Sequence, residues 1–154
     1  MINQTQWLAQ LPALAGIAYL FAVAPRLAVI DLRERRLPNR LVLPTFPIAL
    51  GGQLISSTLG NSWANLLSAL GCSILALVIG LAANRWASLG MGDVKLISAI
   101  ALALGWFSFL APLVAVTLAF VIACAVVLVL VLLRKTTMSS SFALGPYLLV
   151  GFVL

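Results

Sequence analysis

Residues 109 to 133, from Phe109 to Leu133, read FLAPLVAVTLAFVIACAVVLVLVLL, without one charged side chain, and the run stops at Arg134-Lys135. At about 1.5 Å of rise per residue, such a run as helix is long enough to cross the ~30 Å hydrocarbon core of a bilayer. The rest of the chain repeats the pattern. With 64% hydrophobic and 8% charged residues and a mean hydropathy of +1.20, there are too few polar groups to clothe a soluble globule. The expected class is therefore all-α, a polytopic membrane bundle.

Working outward from that run, five more spans are expected. Upstream lie about Trp7 to Ile30, Leu41 to Ser56, Trp63 to Ala83 and a shorter span that follows Asp93 and ends near Leu104, where Gly105-Trp106 breaks it. Downstream, Phe142 to Leu154 is apolar but short. Pro25 and Arg26 mark the far end of the first span, the arginine snorkelling to the headgroups. Pro44, Pro47 and the pair Gly51-Gly52 should bend the second, a kink tolerable only where neighbouring protein satisfies the freed carbonyls. Between spans two and three, Ser57 to Ser62 reads as an uncharged polar turn. The opening Met1-Ile2-Asn3-Gln4-Thr5-Gln6 lacks the Lys or Arg of a secretory signal, so no cleavable leader is expected. No repeat or linker divides residues 1–154, which read as a single domain of about six helices.

The formal net charge of +6 does not point to nucleic acid, because the basic residues sit in short loops instead of on one polar face. They alternate with complete regularity. Every Lys and Arg falls at the loops joining spans one to two, three to four, or five to six. By the positive-inside rule these three loops are cytoplasmic and the amino terminus is outside. Asp31 and Asp93 then lie on one face at one depth.

Composition also narrows the chemistry. The chain has no His, which removes Ser-His-Asp and Cys-His machinery and the H-E-x-x-H zinc site. Cys72 and Cys124 lie inside apolar runs, where they read as small buried side chains. No metal and no cofactor is expected. A Ser-Lys pair through Lys95 and Ser98, three apart on one helix face, competes with a simpler reading of Lys95 as a snorkelling interfacial cation. The remaining candidates are the acids. Asp93 stands in Leu89-Gly-Met-Gly-Asp-Val-Lys-Leu96 at the mouth of the apolar run Ile97 to Leu104, and an ionisable group there marks a functional site by default. Gly90 and Gly92 permit unusual dihedrals and close approach of another chain.

Two readings of the acids stand side by side on the residues alone. In one, Asp31 and Asp93 form a pair that shares a proton and activates water. In the other, Asp31 pairs with Arg35 at i,i+4 and Asp93 merely caps the fourth helix. Lys95, at i+2, faces away from Asp93 and is not a local partner.

Three separated motifs carry a resemblance. Asp31-Leu-Arg-Glu-Arg-Arg-Leu-Pro-Asn39 before a span, Gly90-Met-Gly-Asp-Val-Lys-Leu96, and Phe142-Ala-Leu-Gly-Pro-Tyr147 together resemble the type IV prepilin peptidases. The resemblance covers nearly the whole chain. It implies that Asp31 and Asp93 are the catalytic aspartates, with Pro38, Asn39, Gly90, Gly92, Lys95, Gly145 and Pro146 as supporting positions. It also implies a membrane aspartyl endopeptidase, with no metal, that removes the leader of a prepilin or pseudopilin precursor after a glycine, at the cytoplasmic face of the bacterial inner membrane. Nothing matches the cysteine-bearing segment that larger members use for methylation, so the chain is similar to the short members serving Tad/Flp-type pili. Leu37 stands where Ile is usual, and Ala143-Leu144 where Pro-Phe is common. A non-catalytic membrane subunit of a pilus or secretion assembly is the second reading, and a small transporter using Asp93 as a proton or cation site the third.

Overall fold

The computed structural model describes residues 8–34, 37–87, 89–132 and 145–153. Among these the chain is all-α, with no strand. A helical run from Leu8 passes through a 3-10 turn, Leu11–Leu14, into α1 (Ala15–Glu34). There follow the one-turn α2 (Asn39–Val42), α3 (Thr45–Gly60), α4 (Trp63–Ala87), α5 (Met91–Gly105), α6 (Ala111–Leu132) and α7 (Gly145–Val153). The helical stretches Leu8–Glu34, Asn39–Gly60 and Trp63–Trp86 are each long and apolar enough to cross a membrane. On the outer face of α4, Leu67, Ile74, Val78 and Ile79 are exposed, a distribution that suits hydrocarbon and not water.

The shortest of the spans expected from the sequence is the centre of the structure. α5 touches every other helix, and Leu96 to Ala103 are buried without interruption. A helix apolar all round belongs inside, which is why it carries no solvent-facing stripe. Leu20, Val23 and Leu27 of α1 and Leu148, Leu149 and Phe152 of α7 pack with Ile97 and Ile100 in one cluster. Polar bonds fix α5 within it. The Gln53 carboxamide of α3 donates to the Leu102 carbonyl at 2.8 Å, and Ser73 of α4 and Ser98 of α5 exchange hydroxyl and carbonyl bonds at 3.0–3.1 Å.

Several expected boundaries shift for identifiable reasons. α1 does not end at Pro25 and Arg26, nor at Ile30. It runs through Pro25 to Glu34 and carries Asp31 in its last turn, not in a loop. Its buried positions Gly16, Leu20, Val23, Leu27 and Asp31 recur every three or four residues, so Asp31 completes the inward stripe. Gly51 and Gly52 do not break the second span. They are helical, and a Cβ on Gly52 would overlap the Pro12 carbonyl, so that glycine lets α3 press against the 3-10 turn. The break comes earlier, at Leu43-Pro44, and Pro47 falls in the first turn of α3, where a missing N–H interrupts no helical bond. Ser57 to Gly60 are the last turn of α3, capped by Asn61 in the left-handed region at φ 50°, and Ser57 is buried. Of the last span, Gly145–Val153 is helical, while Phe142 to Leu144 and Leu154 lie outside the described residues.

Candidate active site

The end of α1, the start of α2 and the start of α5 enclose a cleft of about 340 Å³. Asp31, Leu37, Asn39, Gly90, Met91, Gly92, Asp93 and Lys95 line it. All eight belong to the two motifs that the sequence singles out around the acids. Asp31 is 4% exposed and looks inward from the final turn of α1. Asp93 stands in the first turn of α5, ahead of the buried run that begins at Leu96.

The electrostatics bear on the two readings of Asp93. Burial raises its pKa from 3.8 to about 6, and the negative charge of Asp31 adds to the rise. A carboxylate serving only the positive end of a helix would be held low. Here desolvation and a like charge prevail, so Asp93 retains a proton far more readily than a surface aspartate.

Local structure explains the glycines, though not as unusual dihedrals, since no described glycine has a positive φ. Gly90 precedes α5 in extended conformation, φ −60° and ψ 135°, and its carbonyl accepts the Val94 N–H at 3.1 Å. A Cβ on Gly90 would stand 2.8 Å from Asp93 Oδ2, so this position must be bare for the carboxyl to fold back over it. A Cβ on Gly92 would stand 2.9 Å from the Cβ of Leu37. The chain that approaches Gly92 closely is thus its own 37–39 segment.

Pro38 caps α2, its carbonyl accepting from Leu41 at 3.0 Å and Val42 at 3.3 Å. Lys95 Nζ donates to Asn39 Oδ1 at 3.0 Å, while Ser98 bonds with Ser73. The proposed Ser-Lys pair is therefore not formed. Arg35, the alternative partner for Asp31, lies outside the described residues. Gly145 and Pro146 open the described part of α7, and the Phe142 carbonyl that Pro146 would leave without a donor lies outside the described residues. Two contributors escape a reading of the sequence. Tyr19, whose hydroxyl donates to the Leu41 carbonyl at 3.1 Å, ties α1 to α2, and Leu37 packs on Gly92. The extended Leu-Pro-Asn segment is the one signal that hints at Leu37, because residues two apart in it share a side.

Two acids line one cleft, and the pKa of one of them is raised to about 6; a family comparison bears on the chain as a whole. The model of the type IV leader peptidase family matches residues 14–132. The chain belongs to the type IV leader peptidase family. The matched region of this leader peptidase includes both aspartates and the whole cleft, and ends before Gly145. No curated protein and no solved structure matches the chain. The family and the apolar helices together make it a membrane protein with a protease's ancestry.

Proposed function

We propose that this leader peptidase is an aspartyl endopeptidase with Asp31 and Asp93 as its catalytic pair. One observation carries the reading: two acids from different helices line one cleft, and the pKa of Asp93 is raised by burial and by Asp31. Two carboxyls that repel one another share a proton more easily than they ionise together. The ionised member takes a proton from water as the water oxygen bonds to the scissile carbonyl carbon, and the protonated member hydrogen-bonds to the carbonyl oxygen. Collapse of the tetrahedral intermediate breaks the C–N bond, and the amine leaves with a proton from the pair. One water is consumed and the pair regains its single proton.

The substrate is a prepilin or pseudopilin precursor cut after a glycine, and the cleft faces the cytoplasm of a bacterial inner membrane. The regular placement of basic loops and the resemblance of the motifs support this assignment. A helical substrate hides its peptide bonds, so the cleaved segment must enter the cleft extended.

The test is removal of a pilin precursor's leader by purified variants. Asp31→Asn and Asp93→Asn should each abolish cleavage at normal membrane abundance, and the double change should be no worse than either, because members of one catalytic unit are not additive. Retention of more than about a few per cent of activity by Asp93→Asn would remove the assignment. Loss of abundance or assembly with cleavage intact would mark a structural subunit instead.

A further inference from the structure

Gly92 and Lys95 bracket Asp93, and their i,i+3 spacing puts them on one face of α5. Leu37 and Asn39 bracket Pro38, whose backbone is extended at φ −71° and ψ 123°, so their side chains leave the same side of the segment. The two pairs meet in register. Leu37 Cβ fills the space a side chain on Gly92 would need, and Asn39 Oδ1 accepts from Lys95 Nζ at 3.0 Å. Tyr19 binds the Leu41 carbonyl, so residues 37–42 are fastened both to α1, which carries Asp31, and to α5, which carries Asp93.

Lys95 spends this hydrogen bond on a neutral amide, and two residues along the helix from Asp93 it faces away from that carboxyl. Those facts suit a fastening better than a charge partner. We infer that the Lys95–Asn39 hydrogen bond, with the Leu37–Gly92 contact beneath it, is a clasp that sets the separation of Asp31 and Asp93. Lys95 and Asn39 are then positioning residues, acting through the 37–39 segment. The inference rests on the aspartyl reading for its consequence in catalysis, though not for its geometry.

The geometry is read directly by cross-linking. In a full-length chain with Cys72→Ala and Cys124→Ala, Asp31→Cys and Asp93→Cys provide two thiols whose oxidation to a disulfide requires Cβ atoms roughly 3.5–4.5 Å apart. Adding Asn39→Ala, a small change at an exposed position, should slow disulfide formation severalfold. Lys95→Met should do the same, both together should add little, and Lys95→Arg should restore most of the rate. In the otherwise native enzyme, Asn39→Ala should lower kcat about tenfold with KM little changed. The high-pH limb of its rate profile should move to lower pH, because Asp93 is then less repelled by Asp31. A loss of folding alone lowers the amplitude and leaves the limb in place.

Unchanged cross-linking and an unchanged limb in Asn39→Ala would overturn the clasp, even with the aspartates proven catalytic. A cross-linking response alongside active Asp→Asn variants would keep the clasp and remove the protease mechanism.

Discussion

Adding one methyl group at Gly92 tests how finely the cleft is set. The new Cβ would lie 2.9 Å from Leu37 Cβ, about 0.6 Å inside the ~3.5 Å at which carbon atoms begin to attract. Leu37 is half-buried and joined to Pro38, so it yields by carrying the segment with it. A misplacement of ~1 Å costs about a hundredfold in rate, and 0.6 Å therefore about tenfold. Stability responds less. Overpacking costs about 1–3 kcal/mol, and replacing a helical glycine by alanine returns up to about 1 kcal/mol of it. Gly92→Ala should thus cleave a purified precursor about tenfold more slowly while membrane abundance stays close to normal, and the bulkier Gly92→Val should cleave more slowly still. Gly51→Ala, in a helical position with nothing within 4 Å, is the neutral control. Gly80 would be a poor one, since its Cβ would stand 2.8 Å from Val94, next to Asp93. Leu37→Gly removes the opposing Cβ, so in that background Gly92→Ala should cost nothing further. Normal cleavage by Gly92→Ala at normal abundance, or an equal penalty in both backgrounds, would refute the reasoning.

The rate of precursor processing should fall as pH rises through about 6, because the pair needs its proton and Asp93 gives it up there. The same sign governs folding. A carboxyl whose pKa is raised from 3.8 to about 6 favours the folded state when protonated, so its contribution is greatest at low pH and is lost as pH rises through about 6. A rate flat from about pH 5 to 8 would contradict it. A cysteine at Asn61 should react with an impermeant thiol reagent from outside intact cells, and one at Glu34 only after the inner face is exposed; the reverse pattern would invert the assigned orientation. Processing should survive EDTA, since the sequence has no His and the two Cys stand in apolar runs, and its abolition with rescue by a divalent ion would call for a different mechanism.

Composition alone makes the helical membrane class legible, because a chain this apolar has no soluble solution. The two acids were legible as candidates for the same reason, being two of only three. The position of Asp31 was less so. Pro25-Arg26 looks like an end signal, yet a helix inside a bundle can pass through a proline when its neighbours accommodate the lost bond. The spacing of Leu20, Val23, Leu27 and Asp31 already held the answer, since a helix that stopped at Ile30 would have no reason to place an acid on its buried stripe. The role of Gly52 was hidden because a close approach of another segment and a bend ask for the same residue. Only the partner distinguishes them, and Pro12 lies some forty residues away. The Lys95–Asn39 bond spans 56 residues between the starts of two helices and left no periodic trace. Contacts of that kind depend on how helices pack, which neither composition nor local spacing encodes.

The left-handed turn at Asn61 divides the cleft into two inheritances. Asp31, Leu37 and Asn39 come before it, and Gly92, Asp93 and Lys95 come after, carried into place on α4 and α5. A growing chain therefore holds only one of the two cleft aspartates until its sixth tenth has been made, and even then the pair is incomplete until α5 seats itself among all its neighbours. On the dyad reading, synthesis is its own safety catch. Any product that stops short of α5 is inert, and hydrolysis begins only in a membrane where the bundle has closed.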